Sequence, residues 1–583
     1  MGVNREIEII KAKNINMSHY TIILIIRVLK IIYNKYLLLG VIFILTSFNG
    51  IGSLSINTNF NSVDVIDHNE NLTICIEEIK DGLGLTVKIY NNADFNVENG
   101  KLIFILKKTY EIPFLAAGDT TEVHIVIFGF RPRLLLDYPQ VTIKVSAPVI
   151  ETFWKTFSIG IMGLRTKIVE ELSFSGEPYE GYTLFGPEYS TYTYLINMDG
   201  KIVYTWKSDY IQGLSTDLLE NGDLLRLDEF GGDIPFAGGG RAGRVEKFDK
   251  DSNLIWEFEY ANNEHCSHHD IEPLSNGNIL LIAWEYKTRE ESIAAGRNPN
   301  NLWGNALWPD HIIEVEPTGA SGGNIVWEWH VWDHLIQDYD PTKDNYGMVK
   351  DHPELVDINF GDGNWDWNHI NEVDYNENFD QILLSVHYFN EIWIIDHSTT
   401  TKEAAGHTGG NSGKGGDLLY RWGNPQAYGT GDATDQQLFG QHGANWIEKG
   451  CPGKGNILVF NNGRPAQRYS SIYEIVPPVN FMGKYEYEAG EAYGPDLPIW
   501  IYKAENPGSM YSFTLSSAQR LPNGNTLICS ADQGLFLEVT QDKNVVWQYR
   551  NFLPTSTNNA VARIIRYPPS YPGIPRVKSI NQK

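Results

Sequence analysis

The stretch RLPNGNTLICSADQGLFLEVTQDKNVVWQYRN, residues 520–551, contains the pattern that decides the fold. Its Asn523-Gly524 pair is a turn signal, and the apolar residues around it are typical of strands joined by a tight hairpin. A second turn then leads into a strand that carries Trp547. Together these elements predict a four-stranded unit, which cannot bury both faces of its sheet alone.

The strand that carries a tryptophan recurs six times along the chain. Its copies hold Trp206, Trp256, Trp327, Trp422, Trp500 and Trp547. A turn and apolar strand precede five of them, near Asn221, Asn276, Asn376, Gly455 and Asn523. Because radially arranged sheets cover each other's faces, we predict an all-β fold with a six-bladed β-propeller at residues 175–565. Unequal spacing indicates insertions at Tyr286–Gly323 and Val331–Trp365.

The chain outside the propeller has a different pattern. Short segments of alternating apolar and polar residues predict a small immunoglobulin-like β-sandwich at residues 65–147. We expect a connector at residues 148–174 and a C-terminal tail at residues 566–583. The first unit of the propeller lacks its own Asn-Gly turn, which indicates that it is completed where the ring closes.

An apolar run within residues 1–53 indicates export. Tyr36–Phe48 is an uncharged stretch of 13 residues that follows basic residues. This length is short for a spanning helix and suits the apolar core of a signal peptide. We therefore expect an extracytoplasmic protein; cleavage of the segment, its retention as a membrane anchor, and a buried core helix stay open as alternatives.

Composition excludes some partners and cofactors. The formal net charge of −26 disfavours nucleic acid, because phosphate binding needs basic patches. The four cysteines are far apart and form no CxxC motif, so neither a zinc ribbon nor a thiol redox pair is indicated. In HCSHHD, His268 and His269 are adjacent on a predicted strand and are expected to point to opposite faces, which disfavours a shared metal. No cofactor or metal ligand is predicted, and a structural calcium stays open.

Each inner-strand turn follows an apolar residue, and in four repeats a polar residue stands four or five positions before that apolar residue. These polar residues are His269, His369, His442 and Ser516. The innermost strands of a propeller line its central channel, so residues just upstream of them gather at one mouth. We therefore predict that the three histidines converge on the axis. The alternative is that each is a structural hydrogen-bonding residue at the start of a strand.

Several segments of the repeat resemble the bacterial and archaeal arylsulfotransferases over about residues 180–550. They are HHDIEPLSNGNIL, DWNHINEVDYNENFDQILLSVHYFNEIWIID, RWGNP, FGQHGANWI, GNILVFNNG and SAQRLPNGNTLI. The resemblance implies an exported protein with a small β-sandwich before a six-bladed propeller. It also implies transfer of a sulfuryl group from an aryl sulfate to a phenolic acceptor, without the nucleotide donor PAPS, by a ping-pong reaction through a sulfohistidine.

The resemblance also implies roles for individual residues. His442 matches the nucleophile, His369 and His269 match further catalytic histidines, and Asn371 is expected to contact the sulfuryl oxygens. Further substrate contacts are expected from His268, Ser516 and Tyr388. His387 stands where the family often has arginine, and because imidazole has no permanent charge, we expect weaker or pH-dependent anion stabilisation there. A homodimer stays open.

A second hypothesis is a non-catalytic propeller that binds a ligand or a cell-surface partner, and His387 is its best support. A propeller hydrolase or quinone-dependent dehydrogenase has no positive motif in the sequence. Fold alone cannot choose among these functions, because propellers host many of them.

Overall fold

The computed structural model describes the backbone of nine strands between Ser62 and Phe174, and residues 177–575 except 465 and 467. The predicted signal or anchor segment lies outside the described residues, as do residues 576–583 of the predicted tail. Within the described part of the chain, no helix has the length and apolarity needed to cross a membrane.

The nine N-terminal strands form two antiparallel sheets. The first contains Ser62–Asp64, Ile74–Asp81, Leu85–Asn91 and Thr120–Ile125. The second contains Lys108–Leu115, Val97–Phe104, Gln140–Ala147, Ile150–Met162 and Arg165–Phe174. The residues predicted as a connector therefore hold two strands that extend the second sheet, and the packing of a sandwich stays a prediction.

Six four-stranded sheets form the blades of the propeller. From the channel outward, blade 1 has Val561–Tyr567, Tyr182–Pro187, Tyr192–Ile196 and Ile202–Lys207; blade 2 has Gln212–Leu218, Leu224–Glu229, Gly243–Phe248 and Leu254–Glu259; blade 3 has His265–Pro273, Ile279–Glu285, Asp310–Pro317 and Gly323–His330. Blade 4 has Ile370–Asn376, Gln381–Val386, Glu391–Asp396 and Tyr420–Trp422; blade 5 has His442–Trp446, Ile457–Asn461, Ser471–Ile475 and Trp500–Tyr502; blade 6 has Ser517–Arg520, Thr526–Ser530, Leu535–Val539 and Val545–Arg550. All six sheets are antiparallel, and blade 1 closes the ring by pairing strands from both ends of the propeller.

Short elements lie between the blade strands. The α-helices are Arg289–Ala294 and Thr401–Ala404, and two small sheets pair Lys287–Thr288 with Ala306–Leu307 and Leu335–Ile336 with Val356–Asp357. The 3-10 helices are Pro299–Asn301, Val331–His334, Val349–Asp351, His387–Phe389, Pro425–Tyr428, Pro507–Ser509 and Ala531–Gln533. The first predicted insertion is shorter than expected, because Asp310–Pro317 is a regular strand of blade 3.

The repeated tryptophan lies on the outermost strand of every blade, as predicted. Five indole N–H groups donate to the next blade around the ring, namely Trp256 to the Gly322 carbonyl, Trp327 to Thr399 Oγ1, Trp422 to the Pro495 carbonyl, Trp500 to the Gln541 carbonyl and Trp547 to the Met198 carbonyl. Among the described residues, Trp206 Nε1 has no hydrogen-bond partner. The repeat in the sequence thus corresponds to one contact between blades, which recurs at five of the six junctions.

A charged histidine also joins blades 3 and 4. His397 Nδ1 lies 2.7 Å from Asp380 Oδ1, and its Nε2 lies 2.9 Å from Glu314 Oε2. Burial opposes the charge of this ring, but the two carboxylates raise its pKa to about 9. Because the folded-state pKa lies above that of the unfolded chain, the stabilisation is complete below about pH 6.5 and is lost as pH rises through about 9.

We expect His397→Gln to lower the free energy of unfolding by about 3 kcal/mol at pH 6. The deficit should shrink toward pH 10, where the unmodified ring is neutral. Chemical denaturation at both pH values measures this difference. His352→Gln is the matched control, because His352 pairs with Glu354 while its side chain is 48% exposed, and exposed pairs contribute less than about 1 kcal/mol. Equal losses at both pH values would contradict the prediction.

Candidate active site at the channel mouth

The inner strands of blades 2 to 5 bulge at one mouth of the channel. Each shifts its register against its neighbour, between Gln212 and Thr216, Ser267 and Ile271, Ile370 and Glu372, and His442 and Asn445. Left-handed residues lie at or next to these shifts: Leu214, His269, His369 and Gly443, with φ between 54° and 90°. Such backbone is uncommon outside glycine, and a bulge of this kind re-aims a side chain.

Four imidazole rings form a continuous row across this mouth. The ring centroids are 4.5 Å apart for His269 and His369, 5.2 Å for His369 and His387, and 4.9 Å for His387 and His442. Blades 3, 4 and 5 each contribute, since His387 begins the 3-10 helix that follows the second strand of blade 4. The structure therefore brings together the three histidines predicted to converge, together with His387.

His442 is held as a neutral ring with a defined tautomer. Its Nδ1 lies 2.9 Å from Asn462 Oδ1 and 3.1 Å from the Gly440 carbonyl oxygen. The carbonyl only accepts, so Nδ1 carries the proton and Nε2 has the lone pair. Burial lowers the pKa of His442 to about 4, against the stabilising hydrogen bond to Asn462. At neutral pH this imidazole is unprotonated, as a nucleophile must be.

The lone pair of His442 is covered by backbone. The Leu515 N–H donates to His442 Nε2 at 3.1 Å. Leu515 and Ser516 both have left-handed backbone, with φ of 55° and 89°. Because Nε2 has one lone pair, any attack by this atom requires the hydrogen bond from Leu515 to break first.

His369 is the cationic ring of the row. Its Nδ1 lies 2.6 Å from Asp366 Oδ2, and the other oxygen of Asp366 accepts the Trp284 indole N–H at 2.9 Å. Burial disfavours the charged ring, yet the Asp366 carboxylate raises the pKa of His369 above its ordinary value. The ring is therefore able to donate a proton or to stabilise a negative charge near neutral pH.

Behind His269 runs a chain of hydrogen bonds. His269 Nδ1 lies 2.8 Å from His268 Nδ1, and His268 Nε2 lies 3.0 Å from Asp310 Oδ1. Burial lowers the pKa of both histidines and raises that of Asp310. Each neutral ring has one donor and one acceptor nitrogen, so a proton can move between Asp310 and His269 along this chain.

The contact between His268 and His269 differs from the sequence expectation that adjacent side chains diverge. The bulge at His269, with φ of 58°, breaks the alternation of a regular strand and brings the two rings together. His268 itself is fully buried against Trp284, with ring centroids 3.9 Å apart. His268, expected to contact substrate, therefore reaches the cavity only through His269.

His387 is a neutral ring between two catalytic candidates. Burial lowers its pKa well below the ordinary value, and the neighbouring His442 and His369 act in the same direction. Its Nδ1 is buried with no hydrogen-bond partner among the described residues. The ring of Tyr388 lies 4.9 Å from those of both His369 and His387, and its side chain is partly exposed.

A small cavity lies on the axis beside the row of rings. It is lined by Leu214, His269, Asp270, Asn371, Glu372, His442, Leu515, Ser516, Ala562 and Arg563. The Asn371 amide donates to the Gln441 carbonyl at 2.9 Å, while its Oδ1 has no partner among the described residues. Ser516 Oγ accepts the Ala531 N–H at 3.0 Å. Asn371 and Ser516 therefore stand where the sequence placed them, against the same space as His442.

Carboxylates surround the cavity on its other side, and one arginine pairs with three of them. Arg563 lies 2.5 Å from Asp217, 3.3 Å from Asp270 and 3.5 Å from Glu372. Burial raises the pKa of Asp217 to about 6, although Arg563 lowers it. Burial also raises the pKa of nearby Asp374 to about 7. Arg563 is therefore the shared counter-charge of three carboxylates beside the cavity.

The partners of the histidines were not predicted from the sequence. Asp366 had a signal, because it belongs to the same DWNHIN segment as His369. Asp310 comes from another strand and carries no motif, whereas Asn462 lies in the GNILVFNNG segment, which did not indicate its contact with His442. Only the closed ring places them beside the histidines.

A family model described as Arylsulfotransferase (ASST) matches residues 170–562, about two thirds of the chain. No curated protein matches the chain.

The fold has remote likenesses among solved structures. A protein of unknown function from Bacteroides caccae is 12% identical with a TM-score of 0.37, covering 66% of this chain and 98% of that one. Hydrazine synthase from Kuenenia stuttgartiensis is 11% identical with a TM-score of 0.30, covering 68% and 93%. A catalytically inactive virginiamycin B lyase from Staphylococcus aureus is 9% identical with a TM-score of 0.30, covering 65% and 87%. Likenesses of this degree carry no functional argument.

Proposed function

The chain belongs to the arylsulfotransferase family, and from this premise we propose that it moves a sulfuryl group from an aryl sulfate ester to a phenol through a sulfohistidine at His442. The observation that carries the proposal is the fixed tautomer of His442, a residue that lines the cavity: Nδ1 carries the proton, so Nε2 holds the lone pair that becomes nucleophilic once the Leu515 N–H is displaced. The alternative of a binding-only propeller gives no account of a neutral, oriented imidazole in the same row as His369, whose positive charge the Asp366 carboxylate favours.

In the first half-reaction, the hydrogen bond from the Leu515 N–H to His442 Nε2 breaks, Nε2 forms a bond to sulfur, and the bond from sulfur to the aryl oxygen breaks. The departing phenolate takes a proton from His369, whose Nε2–H is not used by Asp366. The sulfated imidazole carries positive charge, which the Asn462 oxygen and the Gly440 carbonyl stabilise at Nδ1. His269 and Asn371 line the cavity of the sulfuryl group, and the second N–H of the Asn371 amide is the donor it has left, because the first donates to the Gln441 carbonyl.

In the second half-reaction, the acceptor phenol occupies the place that the first phenol left. Neutral His369 takes the proton of the hydroxyl as its oxygen forms a bond to sulfur, and His442 Nε2 leaves with its lone pair. The proton balance is thereby restored without a cofactor. His387, neutral where the family often carries arginine, leaves His369 as the charged ring of the row, so we expect activity to follow the protonation of His369.

Release of 4-nitrophenol from 4-nitrophenyl sulfate, measured with and without phenol, tests the proposed function. We expect release to depend on the acceptor and phenyl sulfate to accumulate. Silence across a panel of aryl sulfates would favour the binding-only alternative, and acceptor-independent release would indicate hydrolysis.

We expect His369→Gln to lower kcat by about 10²- to 10³-fold. The loss should be larger for phenyl sulfate than for 4-nitrophenyl sulfate, because the poorer leaving group depends more on its proton. Parallel assays with the two donors, each with the same acceptor phenol that is neither phenol itself nor 4-nitrophenol, measure this ratio. An equal loss for both donors would remove His369 as the general acid.

Asp366→Asn provides a companion test. The carboxylate raises the pKa of His369, and the acid form is the active one, so activity falls as pH rises through that pKa. Without the carboxylate, we expect the alkaline fall in kcat to move to lower pH, while His369→Gln removes it. An unchanged alkaline limb in Asp366→Asn would contradict this assignment.

A further inference from the structure

We propose that His334, His407 and Asp417 bind a divalent transition-metal ion that joins the glycine-rich loop 405–417 of blade 4 to blade 3. His334 ends the 3-10 helix Val331–His334, which follows the outer strand of blade 3. His407 and Asp417 lie in the segment between the last two strands of blade 4. The cluster is separate from the row of imidazoles at the channel mouth.

The three donor atoms converge on one point. Asp417 Oδ1 lies 2.9 Å from His334 Nδ1 and 2.7 Å from His407 Nδ1. All three ligand atoms lie within 4.8 Å of one another. Zinc binds imidazole nitrogen and carboxylate oxygen at about 2.0–2.2 Å, so one ion is able to reach all three donors with small adjustments.

The tautomer of His334 points to a cation between these atoms. Its Nε2 lies 2.8 Å from the carbonyl oxygen of Ala404, which only accepts, so Nε2 carries a proton. In the neutral ring, the lone pair of Nδ1 therefore faces an Asp417 oxygen that is also an acceptor. Two facing acceptors need either a second proton or a metal cation between them, and the third donor atom, on His407, favours the metal. A histidine oriented by a carbonyl on its far nitrogen is the usual arrangement of a metal ligand.

The surroundings of His334 hold the ring in this position. Trp329 stacks on it with centroids 5.7 Å apart and planes 11° apart, and its indole N–H donates to the Gly416 carbonyl at 2.7 Å. A Cβ on Gly416 would lie 2.6 Å from His334 Nε2, so a larger residue would displace the loop from the ring. The fully buried His334 and the loop are thus fitted to each other before any ion binds.

The third donor gives access from solvent. The His407 side chain is 60% exposed and lines a cleft of about 460 Å³ together with Trp332 and His352. An ion is able to enter from this cleft, and water can complete a tetrahedral set. Two imidazoles and one carboxylate suit zinc and its neighbours among the transition metals, whereas calcium prefers six to eight oxygen ligands.

The test uses the full chain, first purified without chelator for elemental analysis and then freed of metal with EDTA. We expect one equivalent of Zn²⁺ to bind with a Kd of about 1 μM or tighter, measured by competition with a chromogenic chelator. Zn²⁺ should raise the Tm, and Co²⁺ should give the visible absorption of a tetrahedral nitrogen and oxygen site. Stoichiometric recovery of another transition metal on purification would also support the proposal.

His407→Ala removes an exposed ligand and so spares the fold. We expect His407→Ala to weaken Zn²⁺ binding by ~100-fold or more, because loss of a residue that merely supports a metal ligand already costs up to about that much at other sites. The variant should also show no rise in Tm with Zn²⁺. His352→Ala is the matched control, because His352 lines the same cleft and bonds to Glu354 rather than to Asp417. The proposal fails if the unmodified chain binds Zn²⁺ no more tightly than His407→Ala does, or if His352→Ala loses the ion equally. Neither result depends on sulfuryl transfer.

Discussion

Replacing His442 with alanine should lower sulfuryl transfer from 4-nitrophenyl sulfate to phenol by about 10⁴-fold or more, in a protein that still folds. The reason is that His442 Nε2 is the atom proposed to form the covalent bond, and loss of a nucleophile removes the reaction path itself. The buried ring is hydrogen-bonded to Asn462, Gly440 and Leu515, so the fold of the variant is checked beside its activity.

Steady-state release of 4-nitrophenol measures this loss, and circular dichroism checks the fold. Mass spectrometry of the unmodified chain, incubated with donor alone, should find the mass of one SO₃ group on the peptide that contains His442. His265→Gln is a matched control. His265 lies on the same strand as His269, but its ring stacks on Tyr260 and is not part of the row of imidazoles. Retained transfer in His442→Ala, or an adduct on another residue, would refute the assignment of the nucleophile.

The second large effect concerns the arginine of the closing strand. Replacing Arg563 with methionine should lower the free energy of unfolding by about 3–5 kcal/mol at pH 8, because it leaves Asp217, Asp270 and Glu372 buried without a counter-charge. Carboxylates with raised pKa values are ionised only at higher pH, so they destabilise the fold as pH rises through their folded pKa values. Without Arg563 the pKa of Asp217 rises above its value of about 6 in the intact protein, so we expect the deficit to shrink as pH falls from 8 toward 6.

Urea denaturation at pH 8 and pH 5 measures this difference. Arg563→Lys keeps the positive charge and should lose less stability. Arg550→Met is the surface control, because Arg550 lies on the exposed outer strand of blade 6 and donates to the Gln533 carbonyl. If Arg563→Met were as stable as the unmodified chain at pH 8, the carboxylates would not depend on this arginine.

The six-bladed fold was predictable because its signal is repeated. Each Trp strand and each glycine turn is weak alone, but five turns and six tryptophans at one structural position exclude most other arrangements. Blade 4 shows how far the pattern reaches: its turn near Asn376 uses Asp380 with φ of 54° instead of glycine, and the copy was still detectable. The strands at residues 150–174 were missed, although the strands before them, also outside the repeat, were predicted from their alternating pattern.

The site was predictable to the level of its histidines and no further. Counting back from the inner-strand turns identified His269, His369 and His442, because the inner strands of all blades begin at the same mouth of the channel. The bulges, the pairing of His268 with His269, and the partners Asp310 and Asn462 depend on local backbone that has no periodic signal. The cluster at His334 was also missed. His334 follows blade 3, whereas His407 and Asp417 lie in a loop of blade 4, so no local pattern in the sequence joins the three residues.

The indole hydrogen bonds all run in the same direction around the ring, and one junction in the described part of the chain lacks such a bond. Every junction from blade 2 round to blade 1 is tied by a tryptophan that donates forward, and among the described residues the chain of donors stops at Trp206, between blades 1 and 2. That junction is where Arg563, on the strand that closes blade 1, meets Asp217 of blade 2. Five junctions therefore share an indole hydrogen bond, and the ring closes at the sixth, between blades 1 and 2, through the ion pair of Arg563 with Asp217.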